Sequence, residues 1–186
     1  MENSDRPRIQ SPTRIFSTQI FSGRVFEVVR EVVELPSGLR QDLAIVRHPG
    51  AVGVVALQPD GRVTLVRQYR HAIGRELLEI PAGRLEPGEE PRSAAARELE
   101  EETGYRPGSL ESLGSFFPAP GFCSEELHLF LARDLTLAGP ERAAHDADEE
   151  LDTVLLSLPE ALERCAQDAK SWIGISRAAA RLRPSP

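Results

Sequence analysis

Apolar and polar side chains alternate over short distances through most of this chain, which predicts strands. Residues 16–34 carry β-branched and aromatic side chains in brief runs, notably Arg24-Val-Phe-Glu-Val-Val and Arg30-Glu-Val-Val. Leu35-Pro-Ser-Gly-Leu39 then predicts a turn before Leu43-Ala-Ile-Val. Ala51–Leu57 and residues 62–69 are two further strand-like runs. The Gln58-Pro-Asp-Gly61 between them predicts a hairpin, because Pro presets φ and Gly accepts a positive φ. A short strand is expected over residues 76–80, stopped by Pro81-Ala-Gly83, and another over residues 126–132.

The period changes at Pro91–Thr103, the strongest helix: Pro in the first turn, an Ala-rich middle and Gly104 just past the end. Residues 158–170 and 174–182 read as C-terminal helices. Strands on both sides of a central helix, with a helical C-terminus, predict an α/β (α+β) domain with a mixed sheet. Residues 1–14 read as a flexible lead-in.

Composition narrows the function. The 186 residues are 40% hydrophobic and 27% charged, as in a globular chain, and the net charge is −7. That balance argues against nucleic acid and anionic membrane surfaces as partners, since both need clustered Lys and Arg. It admits a phosphorylated small molecule, because a bound divalent cation reverses the sign of a site. The longest apolar run, Ala51–Leu57, is far too short to span a membrane. Residues 1–14 have no apolar core of a signal peptide, so a cytoplasmic location is expected. Cys123 and Cys165 have no redox or metal spacing, and His48, His71, His128 and His145 form no spaced cluster. Trp172 is expected to pack among the C-terminal helices.

The chemistry concentrates on the central helix. Glu98, Glu101 and Glu102 stand at i, i+3 and i+4, which stacks three carboxylates on one face. Like charges so close repel, and a divalent cation such as Mg²⁺ would relieve the repulsion. Ala95 and Leu99, four apart, can face the core. A solvated acidic face is the alternative, and the surrounding residues decide against it. From Gly83 the chain runs five residues to Glu89, seven more to Arg97, then Glu98-Leu-Glu-Glu-Glu-Thr-Gly104-Tyr105. This string matches the signature of the Nudix hydrolases at every specified position. With seven residues fixed at ordinary usage, the chance of a random match is about one in 10⁸ per starting position.

The chain is thus identified by resemblance as a Nudix hydrolase. The resemblance implies an α/β/α sandwich with a mixed sheet over residues 49–186. It also implies an N-terminal antiparallel β segment over residues 15–48 that dimerises. It makes Glu98 and Glu102 metal ligands and Glu101 a direct or water-mediated one. The Ala82 carbonyl completes the site, with two to three Mg²⁺ ions, or Mn²⁺, and Glu86 lies near it, with a solvated loop glutamate as the rival reading. Arg97 and Glu89 form an ion pair that orients the carboxylates. Gly83 is expected to turn the chain sharply out of its strand, and Gly104 to close the helix.

Flanking segments resemble the ADP-ribose pyrophosphatase branch: Val66-Arg-Gln-Tyr-Arg70, Leu78-Glu-Ile-Pro-Ala-Gly83, and Pro120 sixteen residues after Gly104. The resemblance implies cleavage of ADP-ribose to AMP and ribose 5-phosphate by a homodimer. Its general base lies in the acidic loop Asp146-Ala-Asp-Glu-Glu150, with Glu149 first and Glu150 second and a solvated charged loop as the rival reading. Arg70 suits a phosphate or the terminal ribose and Glu79 a ribose hydroxyl, with a plain salt bridge as the rival reading of both. Arg24, Val25 and Phe26 suit the adenine, with strand packing as the rival. Other readings are a pyrophosphatase for another nucleoside diphosphate sugar, such as GDP-mannose, or for dinucleotides, and a non-catalytic ADP-ribose sensor. The sensor reading is weakened by the intact set of box carboxylates.

Overall fold

The computed structural model describes residues 10–139 and 151–183. The chain divides into two compact units: one runs up to His48 and includes Ala119–Ser124, and the other holds Pro49–Pro118 and the residues from Glu125 onward.

The first unit is a three-stranded antiparallel sheet of β1 (Thr13–Ser22), β2 (Glu27–Glu34) and β3 (Arg40–Arg47), in that order. β1 begins at Thr13, inside the segment expected to be a flexible lead-in. Arg24, Val25 and Phe26 were expected in a strand run but occupy the β1–β2 turn, closed by Gly23 N–H donating to the Phe26 carbonyl at 3.0 Å. Phe26 rests against Phe21, with ring centroids 6.0 Å apart. Residues 119–124 dock on β3 through backbone hydrogen bonds between Val46 and both Phe122 and Ser124.

The second unit is built on a mixed sheet. Its central strand, β4 (Ala51–Leu57), is buried along almost its whole length, as a strand covered on both faces must be. The expected hairpin joins it to β5 (Arg62–Arg70), and β6 (Arg75–Glu79) pairs with β5. Pro81-Ala-Gly83 does more than stop a strand: Ala82–Arg84 forms β7, antiparallel to β4. The helix α1 (Pro91–Thr103) has the expected bounds. Beyond it come β8 (Tyr105–Arg106), β9 (Ser109–Phe116), β10 (Leu127–Arg133), β11 (Thr136–Leu137) and β12 (Asp152–Ser157). β10 runs parallel to β4, and the main sheet has the order β12-β5-β4-β10-β9. The helices α2 (Leu158–Arg164) and α3 (Ala169–Leu182) close the chain. α2 stops earlier than the expected 170, because the chain needs Asp168 as the N-cap of α3, where its side chain accepts from Ser171 N–H.

The pleat of β4 separates two cores. Val52, Val54 and Ala56 pack with Ala94, Ala95 and Leu99 of α1. Ala51 and Val55 pack with Ile80, Leu129, Ala161 of α2, and Ile175 and Ala178 of α3. Helices therefore cover both faces of the sheet, the α/β/α layering expected. Leu99 is fully buried, and its truncation to Ala would cost about 2–5 kcal/mol. Trp172 corrects an expectation: it is half exposed on α3, since Ser171, Gly174 and Ile175 take the buried face. Cys123 and Cys165 are both free thiols, and burial pushes Cys165 up to about 11.

Candidate active site

The acidic face of α1 is assembled by the strand beneath it and by one arginine. Gly83 lies in β7, paired with Val52. A β-carbon there would fall 2.0 Å from Glu98 Cδ. This corrects the expected reason for the glycine: β7 needs no sharp turn at Gly83, and the missing side chain makes room for the Glu98 carboxylate. One residue earlier, Ala82 N–H donates to Glu102 Oε2 at 3.1 Å. Consecutive residues of β7 thus locate two carboxylates one helical turn apart. Glu102 is buried while Glu98 and Glu101 keep partial exposure. Gly104 caps α1 as expected, at φ 74° with its N–H on the Glu100 carbonyl at 2.8 Å.

Arg97 supplies the counter-charge. Its Nε and Nη2 hold the two oxygens of Glu89, each at 2.9 Å. Its Nη1 donates to Glu98 Oε1 and Glu101 Oε2, each at 2.8 Å. The guanidinium is held above its ordinary value, first by the Glu89 hydrogen bonds and then, against the opposing effect of burial, by Glu98 and Glu101. Glu89 is correspondingly lowered, chiefly by its hydrogen bond to Arg97. Bidentate pairing fixes the plane of Arg97, so a positive group stands between two carboxylates that would otherwise repel.

Among the described residues no group of three or more His, Cys, Asp or Glu side chains converges at metal-ligand geometry. The donor set nevertheless fits a hard divalent cation. It offers three carboxylates on one face, two of them seated on β7, and the open space over Gly83 that holds the Glu98 oxygens. Glu86 is exposed in the loop before α1, where its backbone N–H donates to Glu89 Oε2 at 3.0 Å.

At the ends of β5 and β6, Arg70 and Glu79 meet. Arg70 Nε and Nη2 donate to the two Glu79 oxygens at 2.7 and 2.5 Å. Glu79 is only 1% exposed. The salt bridge expected as the rival reading of both residues is present, and Arg70 remains partly exposed. Lys170 also hydrogen-bonds Glu79 Oε2. Burial works to raise the Glu79 carboxyl, but Arg70 and Lys170 outweigh it and hold the group below the usual range. Pro120 sits exposed in a turn of residues 119–124, in the first unit together with Arg24, Val25 and Phe26, whereas the carboxylates belong to the second. Glu149 and Glu150 lie outside the described residues. Lys170, Asp168 and Ser171 had no place among the expected site residues; their one signal was an Asp three positions before a Ser at a helix start.

The model of the NUDIX domain matches residues 47–173. The chain belongs to the NUDIX family. Gly83–Tyr105 is its NUDIX box, and the geometry above is how this NUDIX domain orients the box carboxylates. The chain is 44% identical over 165 residues to the ADP-ribose pyrophosphatase of Bacillus subtilis (strain 168), covering 87% of this chain and 89% of that protein. It is 45% identical, over the same shares, to the methanol dehydrogenase activator of Bacillus methanolicus. Among solved structures, an ADP compounds hydrolase shares the fold with a TM-score of 0.76 at 24% identity, covering 95% of this chain and 97% of its own.

Proposed function

We propose that this NUDIX enzyme hydrolyses the diphosphate of ADP-ribose to AMP and ribose 5-phosphate. The observation that carries the reading is the seating of Glu98 over Gly83 and of Glu102 on Ala82 N–H, with Arg97 bracing Glu98 and Glu101. The substrate follows the name of the Bacillus subtilis relative. Glu98, Glu101, Glu102 and the Ala82 carbonyl would hold two to three divalent cations, Mg²⁺ or Mn²⁺, with Glu86 at the margin. Bound there, such cations neutralise the diphosphate and acidify water. Arg97 and Glu89 keep the carboxylates aimed, and Arg70 offers its exposed side to a diphosphate oxygen. Glu149, or Glu150 in its place, takes the proton of the attacking water. The water oxygen bonds to one phosphorus as the bridging oxygen leaves with its electron pair on the other phosphate. Arg24, Val25, Phe26 and Pro120 cover the adenine in a homodimer. The exposed apolar side chains of the first unit, Ile15, Phe16, Ile20 and Phe21, support association through that sheet. No helix among the described residues is long and apolar enough to cross a membrane.

The test is a substrate panel with purified protein and Mg²⁺. AMP release from ADP-ribose is expected to exceed turnover of GDP-mannose, NADH, diadenosine compounds and deoxynucleoside triphosphates. A preference for a triphosphate would overturn the substrate, and no turnover with Mg²⁺ or Mn²⁺ would overturn the reading.

A further inference from the structure

The first turn of α3 contributes side chains to a buried ion network that none of the box residues explains. Arg70 ends β5 and Glu79 ends β6, and the two strands pair antiparallel. Both Glu79 oxygens are engaged, Oε1 by Arg70 Nε and Oε2 by Arg70 Nη2 and Lys170 Nζ. Lys170 Nζ also donates to Asp168 Oδ2 at 3.0 Å. Asp168 caps α3 by accepting from Ser171 N–H at 3.1 Å and from the Ser171 hydroxyl. That hydroxyl oxygen in turn accepts from Ile80 N–H at 2.8 Å, one residue past Glu79. The chain leading from β6 into β7 is therefore latched twice to the start of α3, at Glu79 and at Ile80, immediately before Pro81 and the Ala82-Gly83 pair that seats the carboxylates.

We infer that Lys170 is a positioning residue for substrate binding, acting through Glu79 to hold Arg70. The inference rests on the diphosphatase reading for the role of Arg70, and its physics has two parts. A free arginine loses rotamer entropy when it closes on a ligand. Arg70 has surrendered that freedom already, through a bidentate bond to a carboxylate that Lys170 fixes from the other side. The second part is charge. Arg70 and Lys170 balance Glu79 and Asp168, so the network is neutral beside Glu102, whose charge Arg70 already feels. Without Lys170 the same group carries a net negative charge, which opposes an incoming diphosphate. Both parts act on binding rather than on the bond-breaking step.

The experiment compares Lys170→Met, which keeps the stem, with Lys170→Arg, which keeps the charge, each alone and with Arg70→Gln. Lys170→Met is expected to raise KM for ADP-ribose about tenfold with kcat within about twofold. Lys170→Arg restores most of the loss, and in the Arg70→Gln background Lys170→Met raises KM by a clearly smaller factor, the share that net charge alone contributes. A readout without substrate accompanies it: the Arg70 Nε–H proton, followed by ¹⁵N NMR, exchanges slowly with water in the wild type and in Lys170→Arg, and rapidly in Lys170→Met. An unchanged KM with only a lower Tm, an equal KM effect in both backgrounds, or an unmoved Arg70 resonance overturns the inference. If the wild type releases no AMP, the diphosphatase reading fails by itself and the resonance alone decides whether Lys170 positions Arg70.

Discussion

Two helices press on the same central strand from opposite faces, and they follow different rules. α1 buries small side chains, Ala94 and Ala95, with Leu99 as its one large anchor. Its remaining surface carries carboxylates that repel one another and need Arg97 between them. α3 buries Ile175 with Ser171, Gly174 and Ala178, and its start is capped by Asp168. Packing and capping explain α3; they do not explain α1. A charge pattern that costs stability is the signature of a site built for a ligand, whereas a side chain that both caps or pairs and positions leaves no such mark. The carboxylate helix thus declares its chemistry while the opposite helix conceals its share.

Glu102→Gln keeps an oxygen for the Ala82 N–H and removes the charge, so the fold should hold while kcat falls by about 10³-fold or more. Thermal unfolding and turnover measured together check this; a variant with near-normal rate takes Glu102 out of the cation site. Gly83→Ala should come next, with kcat down about 100-fold, because the added methyl claims the space of the Glu98 carboxyl carbon 2.0 Å away. A Mg²⁺ titration should show the midpoint shifted upward in this variant. Wild-type cation affinity would mean that Glu98 can move aside at no loss.

How much of this could be read beforehand depended on the kind of signal. The bounds of α1 and the spacing of Arg97, Glu98, Glu101 and Glu102 were legible because Pro, Gly and charge fall at fixed offsets in the chain. The hairpin at Gln58–Gly61 was legible from its turn chemistry. β9 is not legible because its Ser109–Phe116 sequence, with a glycine and three serines, lacks a clean alternation at the edge of the sheet. β7 reads only as a stop because a three-residue strand made of Ala, Gly and Arg has no propensity of its own; pairing with β4 creates it. Glu79 illustrates the deeper limit. Its type and position fit a ribose contact or a salt bridge equally, and the Lys170 that joins its ion pair lies ninety-one residues away.

The smallest expected effect tests the concealed side of the comparison through pH. The Glu79 carboxyl is lower in the folded protein than its ordinary value of 4.5, so it contributes stability that is present above that value and lost as pH falls through the folded one. Glu79→Gln lacks this ionisation. At neutral pH it should be less stable than the wild type, because Lys170 and Arg70 lose their shared partner. Below about pH 4.5 the wild type binds the proton more readily when unfolded, and its advantage should shrink by up to about 1.4 kcal/mol per pH unit. Glu160→Gln, at an exposed capping carboxylate on α2 that is also lowered, should narrow the same gap far less. Urea midpoints at pH 7, 4.5 and 3.5 decide the matter. A gap between wild type and Glu79→Gln that stays constant over that range would mean that hydrogen bonding alone, without charge, latches β6 to α3, and the network would then be no more than a second cap.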